Sequence, residues 1–225
     1  NISPATFRSL RDAGLISINS VPYYRNPVKL DADREEGHRL SRNQQDIVDT
    51  VTADYDNGTR QTYLLRGITG SGKTEVYMEL IARIIERGRQ AIMLIPEIAL
   101  TYQTVLRFYK RFGDRVSILN STLSPGEKYD QCERARKGEI DVIIGPRSAL
   151  FTPFPDIGII IIDEEHENSY KSETMPKYHA RETAEELARL HGASVFLGSA
   201  TPSLDSYYRA RQGRYRLFTL NERLT

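Results

Sequence analysis

The chain has 225 residues, 39% of them hydrophobic and 27% charged, which excludes a disordered or fibrous protein. Its 31 Lys and Arg nearly balance 30 Asp and Glu, so it is no global polycation, and any nucleic-acid surface must be a local patch. The single cysteine, Cys132, rules out an intrachain disulfide or a cysteine-based zinc site, and the longest aliphatic run, Ile159 to Ile162, is far below the roughly 20 residues of a membrane span.

In chain order, residues 4–13 predict a short helix opened by Pro4 and ended by Gly14. Short extended runs, LISI and VPYYR, follow, and then a polar stretch, DADREEGHR at 31–39, that reads as a linker or mobile loop. Residues 1–30 are therefore expected to be the end of a preceding domain with its linker, and residues 31–225 the main domain. The chain opens on Asn1 and shows no signal peptide, as expected of a piece of a longer polypeptide.

From Leu40 the pattern alternates. Apolar, β-branched runs at 62–66, 91–95, 116–119, 141–144, 158–162 and 194–197 are separated by amphipathic helical stretches near 41–54, 73–87, 97–112, 124–137, 178–191 and 203–212. Runs that are apolar throughout suit strands buried on both faces. Strands and helices in turn imply right-handed crossovers, hence an α/β fold in three layers with a mainly parallel sheet. Ligands of such sheets sit at the carboxyl ends of the strands.

GITGSGKT at 67–74 matches G-x-x-x-x-G-K-[ST] in full, between a strand and a helix. Gly67, Gly70 and Gly72 let backbone amides turn in around phosphate oxygens, and Thr69 and Ser71 complete the expected nucleotide-binding loop. Lys73 would reach the β- and γ-phosphates of ATP, and Thr74 would ligate Mg²⁺. A second run, IIIIDEEH at 159–166, ends a buried strand in acids. Asp163 is expected at the strand tip, facing the phosphate loop from a neighbouring strand and holding Mg²⁺. Glu164 is the candidate base for the attacking water, and His166 is placed to sense the γ-phosphate. Further on, NSYKSETMPKYHAR at 168–181 sets Tyr170, Lys171, Lys177, Tyr178, His179 and Arg181 in one loop-like stretch. Rings among cations are what single-strand binding without sequence preference needs; the alternative is a surface loop whose tyrosines pack on the core. The tyrosines at 102, 109, 207 and 208 lie in helical stretches and are expected to pack.

The box Asp-Glu-x-His after a hydrophobic strand, downstream of such a loop, resembles that of the superfamily 2 DExH helicases. LSRNQ at 40–44 resembles their upstream glutamine motif, in which Gln44 would hydrogen-bond adenine. PEIALTYQ at 96–103 and GPRSALFTPF at 145–154 resemble two strand-contacting motifs, and GSATPS at 198–203 resembles the segment that couples hydrolysis to strand movement. The wording PEIALT, GPRSALF, DEEH and then SYK…YHAR is similar to the narrower family of primosomal replication-restart helicases. The resemblance covers residues 40–225 and implies a RecA-like P-loop NTPase fold, the first motor lobe of such an enzyme.

By that resemblance, Thr101 and Arg147 would hold the phosphodiester chain, although either residue alone is as well read as a helix cap or surface charge. Tyr170, Lys171, Tyr178, His179 and Arg181 would belong to an aromatic-rich loop linking DNA contact to hydrolysis. Ser199 and Thr201 are placed to hydrogen-bond Asp163 and transmit its movement, or to cap the helix beginning near Ser203, and the two roles are compatible. The resemblance further implies a 3′-to-5′ DNA helicase acting on single-stranded and forked DNA, cytoplasmic and nucleoid-associated in a bacterium. Its partners would be primosome and single-strand-binding proteins, with no membrane. A second lobe with an arginine finger, and a zinc-binding insert, would lie elsewhere in the parent, so this piece alone is expected to hydrolyse ATP poorly and unwind nothing. The alternatives are another superfamily 2 translocase, of the RecG-like or restriction-motor type, or a nucleotide-binding module that does not hydrolyse. A simple P-loop kinase would leave the DEEH and SAT segments without purpose.

Overall fold

The computed structural model describes residues 3–17, 24, 25, 37 and 39–223. The extended run at 21–25 and the linker at 31–39 fall mostly outside these residues, and Leu15–Ser17 are irregular. Helix α1 (Pro4–Asp12) starts where expected, with Ser3 capping it by accepting from the Thr6 amide, and buries none of its residues.

The main domain runs α2 (Arg42–Asp56), β1 (Thr62–Gly67), α3 (Lys73–Glu86), β2 (Gln90–Leu94), α4 (Tyr102–Phe112), β3 (Val116–Ile118), α5 (Pro125–Arg136), β4 (Val142–Gly145), β5 (Ile157–Ile162), α6 (Ala180–His191), β6 (Ser194–Ser199), α7 (Leu204–Arg211) and β7 (Tyr215–Leu220). The strands form one sheet in the order β3-β4-β2-β5-β6-β1-β7, and every pairing is parallel.

Strand alternation divides the core in two. Tyr63, Leu65, Ile159 and Ile161 face the layer of α2, α3 and α4, where Val48, Ile81 and Phe108 are fully buried. Leu64, Ile160 and Ile162 face the other layer, where Ala180, Ala184 and Ala188 bring α6 close to the sheet. Isoleucine on both faces of β5 explains the unbroken apolar run at 157–162.

Three expectations change. The helix expected over 97–112 is broken: Glu97–Ala99 form a single 3-10 turn after Pro96, and α4 begins only after Thr101, which caps it. A seventh strand, β7, lies at the sheet edge with Arg216 and Thr219 exposed, so its sequence lacks the uniform apolar signal of a central strand. Of the four helical tyrosines, Tyr102 and Tyr208 are exposed rather than packed, at 66% and 62%.

Candidate functional site

The phosphate loop sits between β1 and α3 as its sequence requires. Gly70 and Gly72 take left-handed backbone, at φ 81° and 76°. Gly72 caps α3 without any side-chain hydrogen bond, so the first amides of that helix stay available for an anion. Lys73 is buried; its Nζ donates to the Gly67 carbonyl at 2.9 Å and lies 3.7 Å from Glu164 Oε1. The Ser71 hydroxyl is buried with no hydrogen-bond partner. Thr74 is half-buried in the first turn of α3. An orphaned hydroxyl, open helix amides and a buried ammonium beside a carboxylate fit a nucleotide phosphate with its Mg²⁺.

Asp163 follows β5 directly, and burial, helped by the nearby charge of Glu164, pushes its pKa up to about 6. Tyr77 of α3 donates to its Oδ1 at 3.0 Å, and Tyr170 donates to its backbone carbonyl at 2.7 Å. Glu164 has the only positive φ of any non-glycine residue among the described residues, 46°. Strained backbone of this kind persists only where its surroundings hold it, and it gathers at functional sites. The turn aims the Glu164 carboxylate back at Lys73 and puts Oε2 3.6 Å from His166 Nδ1. His166 also shares a 2.8 Å hydrogen bond with Ser199 Oγ, which accepts from the Thr201 amide at 3.0 Å.

The structure brings Lys73, Asp163, Glu164, His166 and Ser199 together, but with partners that differ from those expected. The acid's strand is not beside the loop's strand, because β6 stands between β5 and β1 and presents its Gly198-Ser199 end in the gap. Ser199 meets His166 and not Asp163, and Thr201 is exposed and contributes its backbone amide; the cap of α7 is Ser203. Gln44 is buried, with its amide spent on the protein: Oε1 accepts from the Ser41 amide in a capping box, and Nε2 donates to the Ser71 and Gly72 carbonyls at 3.0 and 3.3 Å. It braces the phosphate loop and has no donor left for adenine here.

Two expected DNA contacts become core residues. Tyr170 is 1% exposed and packs with α6 and β5, so its ring cannot stack on a base in this arrangement. Arg181 is 6% exposed and inserted in a polar network: it donates to Ser203 and Ser206, pairs with Asp205, and lies 3.7 Å from Glu165 Oε2. Glu165, which the sequence left without a role, is buried and accepts from the Ser203 amide and both serine hydroxyls. This carboxylate ties the DEEH segment to α7; Ser203 and Ser206, one turn apart, were its only trace in the sequence.

The remaining strand candidates lie along the same end of the sheet. Thr101 is exposed and caps α4 by accepting from the Thr104 amide. Arg147 donates to the Ser169 and Lys171 carbonyls at 2.8 and 2.5 Å and lines a cleft of about 380 Å³ with Glu97, Asn120, Lys128 and Ser148. Beyond it, Lys171 and His179 pair as an isolated antiparallel bridge that closes the excursion between them. His179 accepts from the Arg181 amide and caps α6. Lys171 and Lys177 are exposed, and Tyr178 stands edge-on to Phe151, itself 59% exposed, with ring centroids 5.3 Å apart. A second hollow of about 560 Å³ is lined by Lys171, Lys177, Tyr178 and His179, together with the carboxylates Glu173 and Glu182. Phe151 escaped the sequence reading because its exposure is set by the 3-10 turn Arg147–Phe151.

A parallel three-layer sheet with this loop, box and intervening strand end defines a RecA-like P-loop NTPase lobe of the helicase kind. The chain belongs to the family described as "Type III restriction enzyme, res subunit", whose model matches residues 37–204. It is 44% identical to the replication restart protein PriA of Bacillus subtilis (strain 168) over 223 residues, which is 99% of this chain and 28% of that protein. It is 45% identical to PriA of Chlamydia pneumoniae over 185 residues, 82% of this chain and 25% of that protein. These relatives bear out the resemblance drawn from the motif wording, and the chain spans about a quarter of their length. Among solved structures, RecG bound to a three-way DNA junction superposes with a TM-score of 0.62 at 21% identity, covering 100% of this chain and 26% of that one, a likeness of fold.

Proposed function

We propose that this chain is the ATP-binding motor lobe of a 3′-to-5′ DNA helicase that acts in replication-fork restart and primosome assembly. The observation that carries the reading is the chain of contacts from Lys73 to Glu164, from Glu164 to His166 and from His166 to Ser199, each within hydrogen-bond or ion-pair distance, beside the half-buried Asp163. Thr74 and Asp163 would hold Mg²⁺, which when bound offsets charge on the β- and γ-phosphates. Lys73 exchanges the Gly67 carbonyl and Glu164 for phosphate oxygens. Freed from the ammonium, Glu164 orients the attacking water and takes its proton. His166 links that base to the strand end at Ser199, so a shift of one is felt by the other.

The cleft at Arg147 and the hollow at Tyr178 offer donors and cations to a phosphodiester chain and rings to its bases, without reading sequence. Single-stranded and forked DNA are the proposed substrates; primosome and single-strand-binding proteins are the proposed partners. No helix of the described residues is long and apolar enough to cross a membrane. The test is ATP hydrolysis by the full-length protein with and without forked DNA, wild type beside Glu164→Gln. Strong stimulation by DNA that the variant loses is the expected outcome. Equal, low turnover in every sample would replace the motor by a nucleotide-binding module.

A further inference from the structure

Three segments far apart in the chain meet at one phenol. Tyr77 lies on α3 one turn beyond Lys73, fully buried, with its ring edge-on to Phe196 of β6 at 6.0 Å and 73°. Because β6 stands between β1 and β5, a group from the phosphate-loop helix must cross the end of β6 to reach Asp163. The crossing point is Gly198. A Cβ there would lie 1.6 Å from the Tyr77 hydroxyl and 2.7 Å from Cζ, so no larger residue leaves the passage open. The Gly198 backbone is itself fixed, in register with Leu65 of β1 and accepting from the Glu165 amide at 3.0 Å. Through this gap the hydroxyl reaches Asp163 Oδ1 at 3.0 Å.

The geometry points to Tyr77 as a positioning residue that sets the rotation of the Asp163 carboxylate, with Gly198 as the residue that admits it. The contribution of the GSAT segment to the acid is therefore room for a neighbour's hydroxyl, while its own Ser199 hydroxyl serves His166. The inference rests on the reading of Asp163 as a Mg²⁺ ligand. A partner that orients a ligating carboxylate typically accounts for about 10–100-fold in metal affinity or activity.

In the full-length protein, Tyr77→Phe deletes one hydroxyl and keeps the ring. The Mg²⁺ concentration for half-maximal binding of a fluorescent ADP analogue is expected to rise about tenfold, with the same shift in ATP hydrolysis. Affinity for the analogue without metal is expected to stay unchanged, which a general loosening of the lobe would not allow. Gly198→Ala, whose methyl group collides with the same hydroxyl, should shift the Mg²⁺ requirement in the same direction. An unchanged Mg²⁺ requirement in Tyr77→Phe overturns the assignment, as does wild-type binding that ignores Mg²⁺. The expected shift in binding, in a protein that hydrolyses nothing, supports Tyr77 while sinking the motor reading alone.

Discussion

Arg181→Ala separates a buried network from a DNA contact. The guanidinium is 6% exposed, donates to Ser203 and Ser206, and is the cation beside Glu165, whose own side chain is fully buried. Truncation leaves Glu165 three hydrogen-bond donors but no positive charge within the core. Breaking a buried pair from one side costs about 3–5 kcal/mol. The three donors that remain argue for the lower end, about 3 kcal/mol. For a domain of this size each kcal/mol moves the melting temperature by about 2–4 °C, so Arg181→Ala should melt about 6–12 °C lower. Adding Glu165→Gln should recover part of that loss, because the amide still accepts hydrogen bonds and the orphaned charge is gone. The assay is thermal unfolding of the single and double variants, with single-strand affinity measured across salt concentrations. An unchanged melting temperature together with a shallower salt dependence of binding would place Arg181 on phosphate and refute the network.

Two further outcomes follow from the same geometry. Glu164→Gly and Glu164→Ala both strip Lys73 of its carboxylate and should both abolish hydrolysis, but only the first removes the Cβ from a residue at φ 46°, so it should be about 1 kcal/mol the more stable of the two in thermal unfolding; equal stability of the two variants would mean the turn is unstrained. His179 is half-buried and caps α6; burial first and the Arg181 charge second lower its pKa, and Glu182, Glu165 and Asp205 oppose them without reversing the shift. As pH falls below the ordinary value of 6.5, the unfolded chain takes up a proton that the folded ring resists, so stability present above 6.5 is lost through the folded pKa. His179→Asn keeps a capping acceptor, and its melting temperature should fall less between pH 7 and pH 5 than that of wild type; equal falls would refute the coupling.

What the sequence alone determined was local and periodic. Apolar runs such as Ile159–Ile162 suited central strands, GITGSGKT matched a glycine-rich turn into a helix, and a helix was expected to begin near Ser203. The family was legible too, because motif wording needs no geometry. Strand order was not, because parallel strands joined by crossovers carry no local mark of their neighbours, and with the order went the partners. Only tertiary structure decided that β6 divides the acid from the phosphate loop, that Ser199 serves His166, and that Gln44 spends its amide on the loop carbonyls. Burial made the same kind of choice among look-alike residues. Tyr170 and Tyr178 stand eight positions apart in one polar stretch, yet the 3-10 turn at Asn168–Tyr170 drives the first into the core, while the second remains beside an exposed phenylalanine. Composition names what a side chain can do; the path of the backbone decides what it meets.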